Sequence, residues 1–351
     1  MTDAALLQDI ARGSLDLVVA ALHRESRNVV SLTLRAADGG PLPAFRAGQH
    51  LPLWLGLPGR NIATYTLSSA NHDLGHYRIS VKLEPDGQGG SRHLHQLAVG
   101  TVLKASAPRG TFVLQDAPNP VLLLTGGIGI TPALSMLQAL AREGRREVFF
   151  LHACNDAGEH SFAAEVEGLA KGNPLIRVFH AYANGTEADL QAGRCHHLGL
   201  IDRETLRRLL PLGDYHVYLC GPPGFMAAQT AALRSLGVAQ ENIRTEVFSA
   251  PRPATPAPVA TAPVAADSPV VSFARSGKTA IWTAATPSLL DFAEAQGLTP
   301  EFSCRAGVCG TCACRIVSGE VAYDTDPLEP PPPGEILLCC ARPQGQITLD
   351  L

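Results

Sequence analysis

The chain changes its hydrophobic rhythm twice. From Leu15 apolar and polar residues alternate, as in Leu15-Asp-Leu-Val-Val and Val29-Val-Ser-Leu-Thr-Leu-Arg35, and Tyr77-Arg-Ile-Ser-Val-Lys-Leu83 continues the pattern. A period of two belongs to strands with one face in a core. Gly and Pro punctuate these runs, which predicts an antiparallel barrel ending near Pro118. Val121-Leu-Leu-Leu-Thr125 is then apolar throughout, as a strand buried on both faces must be. A helix is expected from about Pro132 to Glu143. Glu147–His152, Leu175–Ala181 and His216–Cys220 repeat the buried-strand theme, with helical stretches between them. Strands alternating with helices imply a parallel sheet covered on both faces. Between Ala250 and Ser268 the apolar period vanishes and Pro and Ala dominate, the composition of an extended, semi-rigid tether. Pro269 to Leu351 reads as a small mixed domain, with Pro330–Pro333 as a stiff surface loop, and the first dozen residues as a short helix or frayed terminus. Four segments result: a β-barrel over 14–117, an α/β domain over 118–249, a tether over 250–268 and a small domain over 269–351.

A length of 351 residues suits two or three domains, and 46% apolar content is ample for their cores. A net charge of −4 argues against a general nucleic-acid binder or a binder of anionic membranes. Met1 to Arg12 lacks the basic start and apolar stretch of a secretory signal, and runs such as Val121–Leu124 are far too short to span a bilayer.

The cysteines carry the most specific chemistry. Cys304-Arg-Ala-Gly-Val-Cys309-Gly-Thr-Cys312 has the spacing C-x4-C-x2-C, and a Cys339-Cys340 pair follows. Three thiolates so spaced, with a distant fourth, suit a [2Fe–2S] cluster. A zinc knuckle would show two C-x2-C pairs instead. Gly307 and Gly310 let the loop close tightly, with N–H groups toward the cluster sulfurs. Cys314 lies too near Cys312 to share the iron geometry and reads as a small packed residue. Cys154, Cys195 and Cys220 stand apart. Nine cysteines used in this way point to a reducing compartment, by default the cytoplasm.

Two glycine turns lie between strands and helices. Thr125-Gly126-Gly127-Ile-Gly129-Ile-Thr131-Pro132 has the place and composition of a phosphate-binding turn, with a helix N-terminus behind it. The third glycine of the dinucleotide fingerprint is absent, and Pro132 occupies the first helical turn. Cys220-Gly221-Pro222-Pro-Gly-Phe-Met226 is a second such turn in the same sheet. The twelve histidines, including His196-His197, show no metal spacing and read as surface or core residues.

From Leu15 on, apart from the tether, the chain resembles the ferredoxin-NADP reductase superfamily, and specifically oxygenase reductases with a C-terminal plant-type ferredoxin domain of β-grasp, α+β type. The stretch from Phe149 to Phe248 is similar to the reductase half of flavohaemoglobins. The resemblance implies that Gly126–Pro132 holds the nicotinamide nucleotide's pyrophosphate, that Cys220–Pro222 lies beside the nicotinamide, and that Glu246-Val-Phe248 is the closing motif whose ring lies near a flavin. It implies a flavin site at Thr64-Tyr65-Thr66-Leu67-Ser68, with Tyr65 against the isoalloxazine. Gly89-Gly90-Ser91 would donate to the flavin phosphate. The family's arginine is replaced by Ala63, and Arg60 or Arg92 is left to take its role. FAD is favoured over FMN, although Gly89–Ser91 resembles the FMN-containing members. In the ferredoxin pattern one cysteine precedes Arg-Pro, so the match to Arg342-Pro343 makes Cys339 the fourth ligand and Cys340 a bystander.

These parts imply an NADH-dependent reductase that serves a terminal oxygenase, of Rieske type, as protein acceptor. A nicotinamide yields two electrons as hydride and the cluster takes one, so a flavin must stand between them. Thr66, Cys220 and Glu246 would tune or position without moving protons. Other readings stay open: a reductase for a cytochrome P450 or a hybrid-cluster protein, or a redox sensor. Ala153–His160, the loop expected to meet the adenosine ribose, has two carboxylates and no Lys or Arg, which favours NADH over NADPH.

Overall fold

The computed structural model describes residues 14–248 and 269–351, apart from 58–59, 86, 88, 284–285, 299, 301, 303–306, 308–311, 324–326 and 328–330. The expectations for the first dozen residues and for the 250–268 tether lie outside the described residues. The chain forms two compact units, one of residues 15–53 and 65–248, the other including 54–64 and the C-terminal residues.

The barrel strands are β1 (Leu15–Arg24), β2 (Val29–Ala36), β3 (His50–Leu57), β4 (Arg60–Thr66), β5 (Tyr77–Lys82) and β6 (Val102–Ala105), in the order β4-β3-β6-β1-β2-β5. A bridge from Leu67 to Ile79 links the two edges and nearly closes the sheet. β1 and β2 pair antiparallel with a bulge between Val19 and Ala21. The alternation read from the sequence buries Leu17, Leu32 and Leu34 completely, and Leu51 and Leu53 of β3, a strand the sequence reading did not name, are buried as fully. A short helix α1 (Gly90–His95) follows β5.

The next domain is a sheet of six parallel strands: β7 (Val121–Gly126), β8 (Val148–Cys154), β9 (Ile176–Tyr182), β10 (His197–Leu198), β11 (His216–Cys220) and β12 (Ile243–Glu246), ordered β10-β9-β8-β7-β11-β12. Between them run α2 (Ile130–Glu143), α3 (Ala163–Lys171), α4 (Glu187–Gln191), α5 (Arg203–Leu209) and α6 (Pro223–Ser235). Alternate residues of β7 serve opposite cores. Leu123 packs with Leu134 and Leu137 of α2, whereas Leu122 and Leu124 pack with Leu206 and Leu233 of α5 and α6. This two-sided burial explains the unbroken apolar run.

The C-terminal domain has a five-stranded mixed sheet of β13 (Val270–Phe273), β14 (Lys278–Ile281), β15 (Ala313–Ser318), β17 (Glu335–Leu337) and β19 (Ile347–Leu349), ordered β14-β13-β19-β15-β17. A pair of β16 (Val321–Tyr323) with β18 (Ala341–Pro343) and a helix α7 (Leu289–Ala295) complete it. Phe273, Trp282, Leu289, Phe292, Leu337 and Leu349 form its own core. Among the described residues no helix is long and apolar enough to cross a membrane.

Candidate functional site

Two strand-to-helix turns meet at the carboxyl ends of β7 and β11. In register, Thr125 pairs with Cys220, and Cys220 with Glu246 of β12. On the other side Thr125 pairs with His152 of β8, and His152 with His180 of β9. One buried row across the sheet thus carries His180, His152, Thr125, Cys220 and Glu246. Open parallel sheets bind ligands outside such strand ends.

The glycines of the first turn answer to different neighbours. A Cβ on Gly129 would lie 2.3 Å from the Cys220 carbonyl oxygen, so glycine here lets the two turns touch. Gly127, at φ 52, faces open space, and a Cβ there would meet nothing within 4 Å. Room for a ligand therefore lies over Gly127, while Gly126 sits against Phe225 and Pro222 and Gly221 against Gly126. A 3-10 turn, Gly127–Gly129, leads directly into α2 and takes up the Ile130 N–H on the Gly127 carbonyl; no side chain caps that turn, so the N–H groups left for a ligand or water are those at its start. Thr131 Oγ1 donates to the Ile128 carbonyl at 3.1 Å, and Pro132 has no N–H to satisfy.

Burial sets the electrostatics of the row. It pushes the Glu246 carboxyl up to about 8, so the group keeps its proton at neutral pH. Among the described residues Glu246 Oε2 has no hydrogen-bond partner. Burial, and then the neighbouring Glu246, push the Cys220 thiol up, which keeps it un-ionised. Thr125 Oγ1 and His152 Nδ1 are 2.8 Å apart.

Sequence reading gave the histidines no joint role, yet His152, His160 and His180 cluster and His196 adjoins His180 with ring centroids 5.6 Å apart. The His152 and His160 rings stack at 5.3 Å, and His160 meets His180 edge-on at 4.4 Å. The Tyr182 hydroxyl bonds His160 Nδ1 at 2.7 Å. Burial drives His160 down to about 4, His180 to about 3, and His152 well below its ordinary value. Their signal was hidden because the partners come from two strands and a loop. Among the described residues no three His, Cys, Asp or Glu are placed to hold a metal ion.

At the end of β4, Tyr65 is half-buried, while Thr66 and Ser68 are buried. Ser68 Oγ and Ser80 Oγ are 2.7 Å apart. Ala63 is fully buried, and the Arg60 side chain lies outside the described residues. Arg92 is exposed and gives Nη2 to the Pro85 carbonyl at 2.6 Å. Gly89 caps α1, Gly90 is buried, and the Ser91 hydroxyl accepts the Glu84 N–H at 3.0 Å. Pro222 caps α6, and Phe248 is 36% exposed just past β12.

A cation missed in the sequence reaches the Ala153–His160 loop. Arg27, from the β1–β2 turn, pairs with Asp156 at 2.9 Å and Glu159 at 2.8 Å. With two carboxylates and one guanidinium, the loop keeps a net negative charge.

Of the four expected cluster ligands, Cys304 and Cys309 lie outside the described residues. Cys312 and Cys339 are brought together by the β15–β17 ladder, in which Ala313 pairs with Leu337 and the Leu338 N–H donates to the Cys312 carbonyl at 3.2 Å. The Gly307 N–H donates to Cys339 Sγ at 3.2 Å, the bond expected of a cluster loop. Cys340 is buried in the core with its thiol 3.6 Å from the Leu337 carbonyl, and it also hydrogen-bonds the Cys339 side chain and lies close beside Gly307. Cys314 is buried in that core too. The residues described therefore fit a thiolate-held cluster.

Residues 12–114 match the oxidoreductase FAD-binding domain family, 123–231 the oxidoreductase NAD-binding domain family, and 274–344 the 2Fe-2S iron-sulfur cluster binding domain family. A flavohemoprotein from Burkholderia sp. (strain TH2) is 38% identical over 241 residues, which are 68% of this chain and 60% of that protein. The chain thus spans about three fifths of the length of the curated relatives it matches. The flavohem-like FAD/NAD-binding domain of nitric oxide dioxygenase from Vibrio cholerae O1 biovar El Tor aligns with a TM-score of 0.61 at 34% identity, covering 68% of this chain and 99% of that one. Phthalate dioxygenase reductase, described as a modular structure for electron transfer from pyridine nucleotides to [2Fe–2S], aligns with a TM-score of 0.64 at 26% identity over 97% and 99% of the two chains.

Proposed function

Because the chain belongs to the ferredoxin-NADP reductase-like superfamily, we propose that it takes hydride from NADH and delivers single electrons to a terminal oxygenase of Rieske type. It is an oxidoreductase with FAD-binding, NAD-binding and [2Fe–2S] domains. The observation that carries the proposal is the joining, in one chain, of a paired nucleotide turn and a cysteine loop with an N–H aimed at Cys339. A bound flavin would supply conversion of a hydride into single electrons, and Cys304, Cys309, Cys312 and Cys339 would hold a [2Fe–2S] cluster that supplies one-electron chemistry.

The chain's own residues bind and orient. Gly127 and the uncapped 3-10 turn it begins leave room and N–H groups for the pyrophosphate. Cys220 and Glu246, both un-ionised, place no charge beside the nicotinamide. Tyr65, Thr66 and Ser68 line the flavin side, with Gly89–Ser91 as phosphate donors. No residue is required to act as general acid or base. The net negative charge of the Asp156–Glu159 loop disfavours a 2′-phosphate.

Anaerobic titration of the purified full chain with NADH tests the proposal. Flavin and cluster absorption should bleach together, and NADPH should give a kcat/KM roughly tenfold lower or worse. Bleaching of the flavin without the cluster would refute it.

A further inference from the structure

We propose that the peptide segment Ser68–Ser69, gripped by Ser135, Gln138 and Arg78, is the positioning joint that fixes the flavin motif relative to the nucleotide turn. The inference rests on the hydride-transfer reading above and, apart from Ser68, names residues that reading does not use.

Helix α2 starts at the nucleotide turn and, two turns on, presents Ser135 and Gln138 one above the other. Ser135 Oγ donates to the Ser69 carbonyl at 2.8 Å, and Gln138 Nε2 to the Ser68 carbonyl at 3.1 Å. Those carbonyls lie two and three residues past Thr66. Arg78, from β5, adds Nη2 to the Ser68 carbonyl at 2.6 Å and Nε to Ser68 Oγ at 3.2 Å. The same guanidinium grips both oxygens of Glu165 on α3, at 2.8 and 2.9 Å. Gln138 Nε2 also reaches Glu165 Oε1 at 2.9 Å. Arg78 lies 5.2 Å over the Phe162 ring, and Phe162 is the one non-glycine among the described residues at positive φ, 63°. A bulky residue held there marks a place the surroundings over-determine.

A bidentate Arg–carboxylate fork is rigid as well as attractive, and α2 transmits position as a stiff rod. The joint therefore sets how the tyrosine motif of the barrel faces the turn at Gly127. In the transfer a hydride leaves the nicotinamide, converting NADH to NAD+, and arrives on the flavin. Its rate depends steeply on the separation of the two rings, so a small slip at Ser68–Ser69 acts on rate more than on binding.

The test compares the full holoprotein with Gln138→Met, Ser135→Ala and the charge exchange Arg78→Glu/Glu165→Arg. Flavin content and NADH affinity should stay within about twofold, while the anaerobic hydride-transfer rate falls by roughly tenfold or more. Amide hydrogen exchange of residues 65–69 in the cofactor-free chain should speed up in each variant. The charge exchange restores an ion pair but not the Ser68 contacts, so recovery of the parent rate by it would overturn the proposal. So would a Gln138→Met or Ser135→Ala rate within about twofold of the parent, or unchanged exchange at 65–69. If the parent chain itself takes no hydride from NADH, the functional reading fails together with the joint. If the parent does and the variants match it, the joint alone fails.

Discussion

Cys339 and Cys340 are adjacent in sequence and bonded side chain to side chain, but their other partners differ. The Cys339 sulfur accepts the Gly307 N–H, whereas the Cys340 thiol is packed in the core beside Ile336 and Leu337. Cys339→Ser should abolish the cluster's visible absorption, and Cys340→Ser should keep it with a modest loss of stability; bleaching in Cys340→Ser alone would reverse the assignment. Glu246 offers a second residue-level test. Its folded pKa of about 8 lies above its ordinary 4.5. The folded chain therefore holds a proton that the unfolded chain gives up, and this contribution, full below 4.5, is lost as pH rises through about 8. Glu246→Gln removes that loss and should stabilise the cofactor-free chain at pH 7 by on the order of 2 kcal/mol. Denaturant midpoints that are equal at pH 5 and diverge by pH 8 would bear this out; parallel profiles would contradict it.

At the scale of elements, the strand ends of β8 and β9 hold the buried histidines. The folded pKa values of His160, about 4, and His180, about 3, lie below the ordinary 6.5. Unfolding takes up protons in that window, so stability is full above pH 6.5 and declines as pH falls toward 4. Midpoints measured from pH 7 to pH 4 should fall steeply, and His160→Gln with His180→Gln should flatten the slope. No change in slope would mean the histidines are already protonated in the fold. Periodicity in the sequence located β1, β2, β5, β7, β8, β9 and β11, and the helix after the first glycine turn. β3 and β4 escaped because His50–Leu57 and Arg60–Thr66 alternate weakly around Pro58-Gly59. The glycine turns were legible as a site from composition, but Gly129 is there for the Cys220 carbonyl rather than for a ligand. Arg27, the histidine cluster and the Arg78–Glu165 grip were illegible, since each joins residues distant in sequence through side-chain geometry.

For the molecule as a whole, the question is where electrons leave. The C-terminal domain has its own core, and the unit of 15–53 and 65–248 holds β1, β2, β5 and β6 and both faces of the parallel sheet. Hydride donor and acceptor both belong to the region before Phe248, and the cysteine loop to the region after it. Cutting the chain between them therefore separates the two chemistries. The decisive measurement is the NADH-driven reduction of two acceptors, ferricyanide and cytochrome c, by the full chain and by a chain truncated after Phe248. The truncated chain should keep its flavin, reduce ferricyanide at close to the full rate and lose nearly all transfer to cytochrome c. Cytochrome c reduction as fast as that of the full chain would contradict the proposed order of transfer.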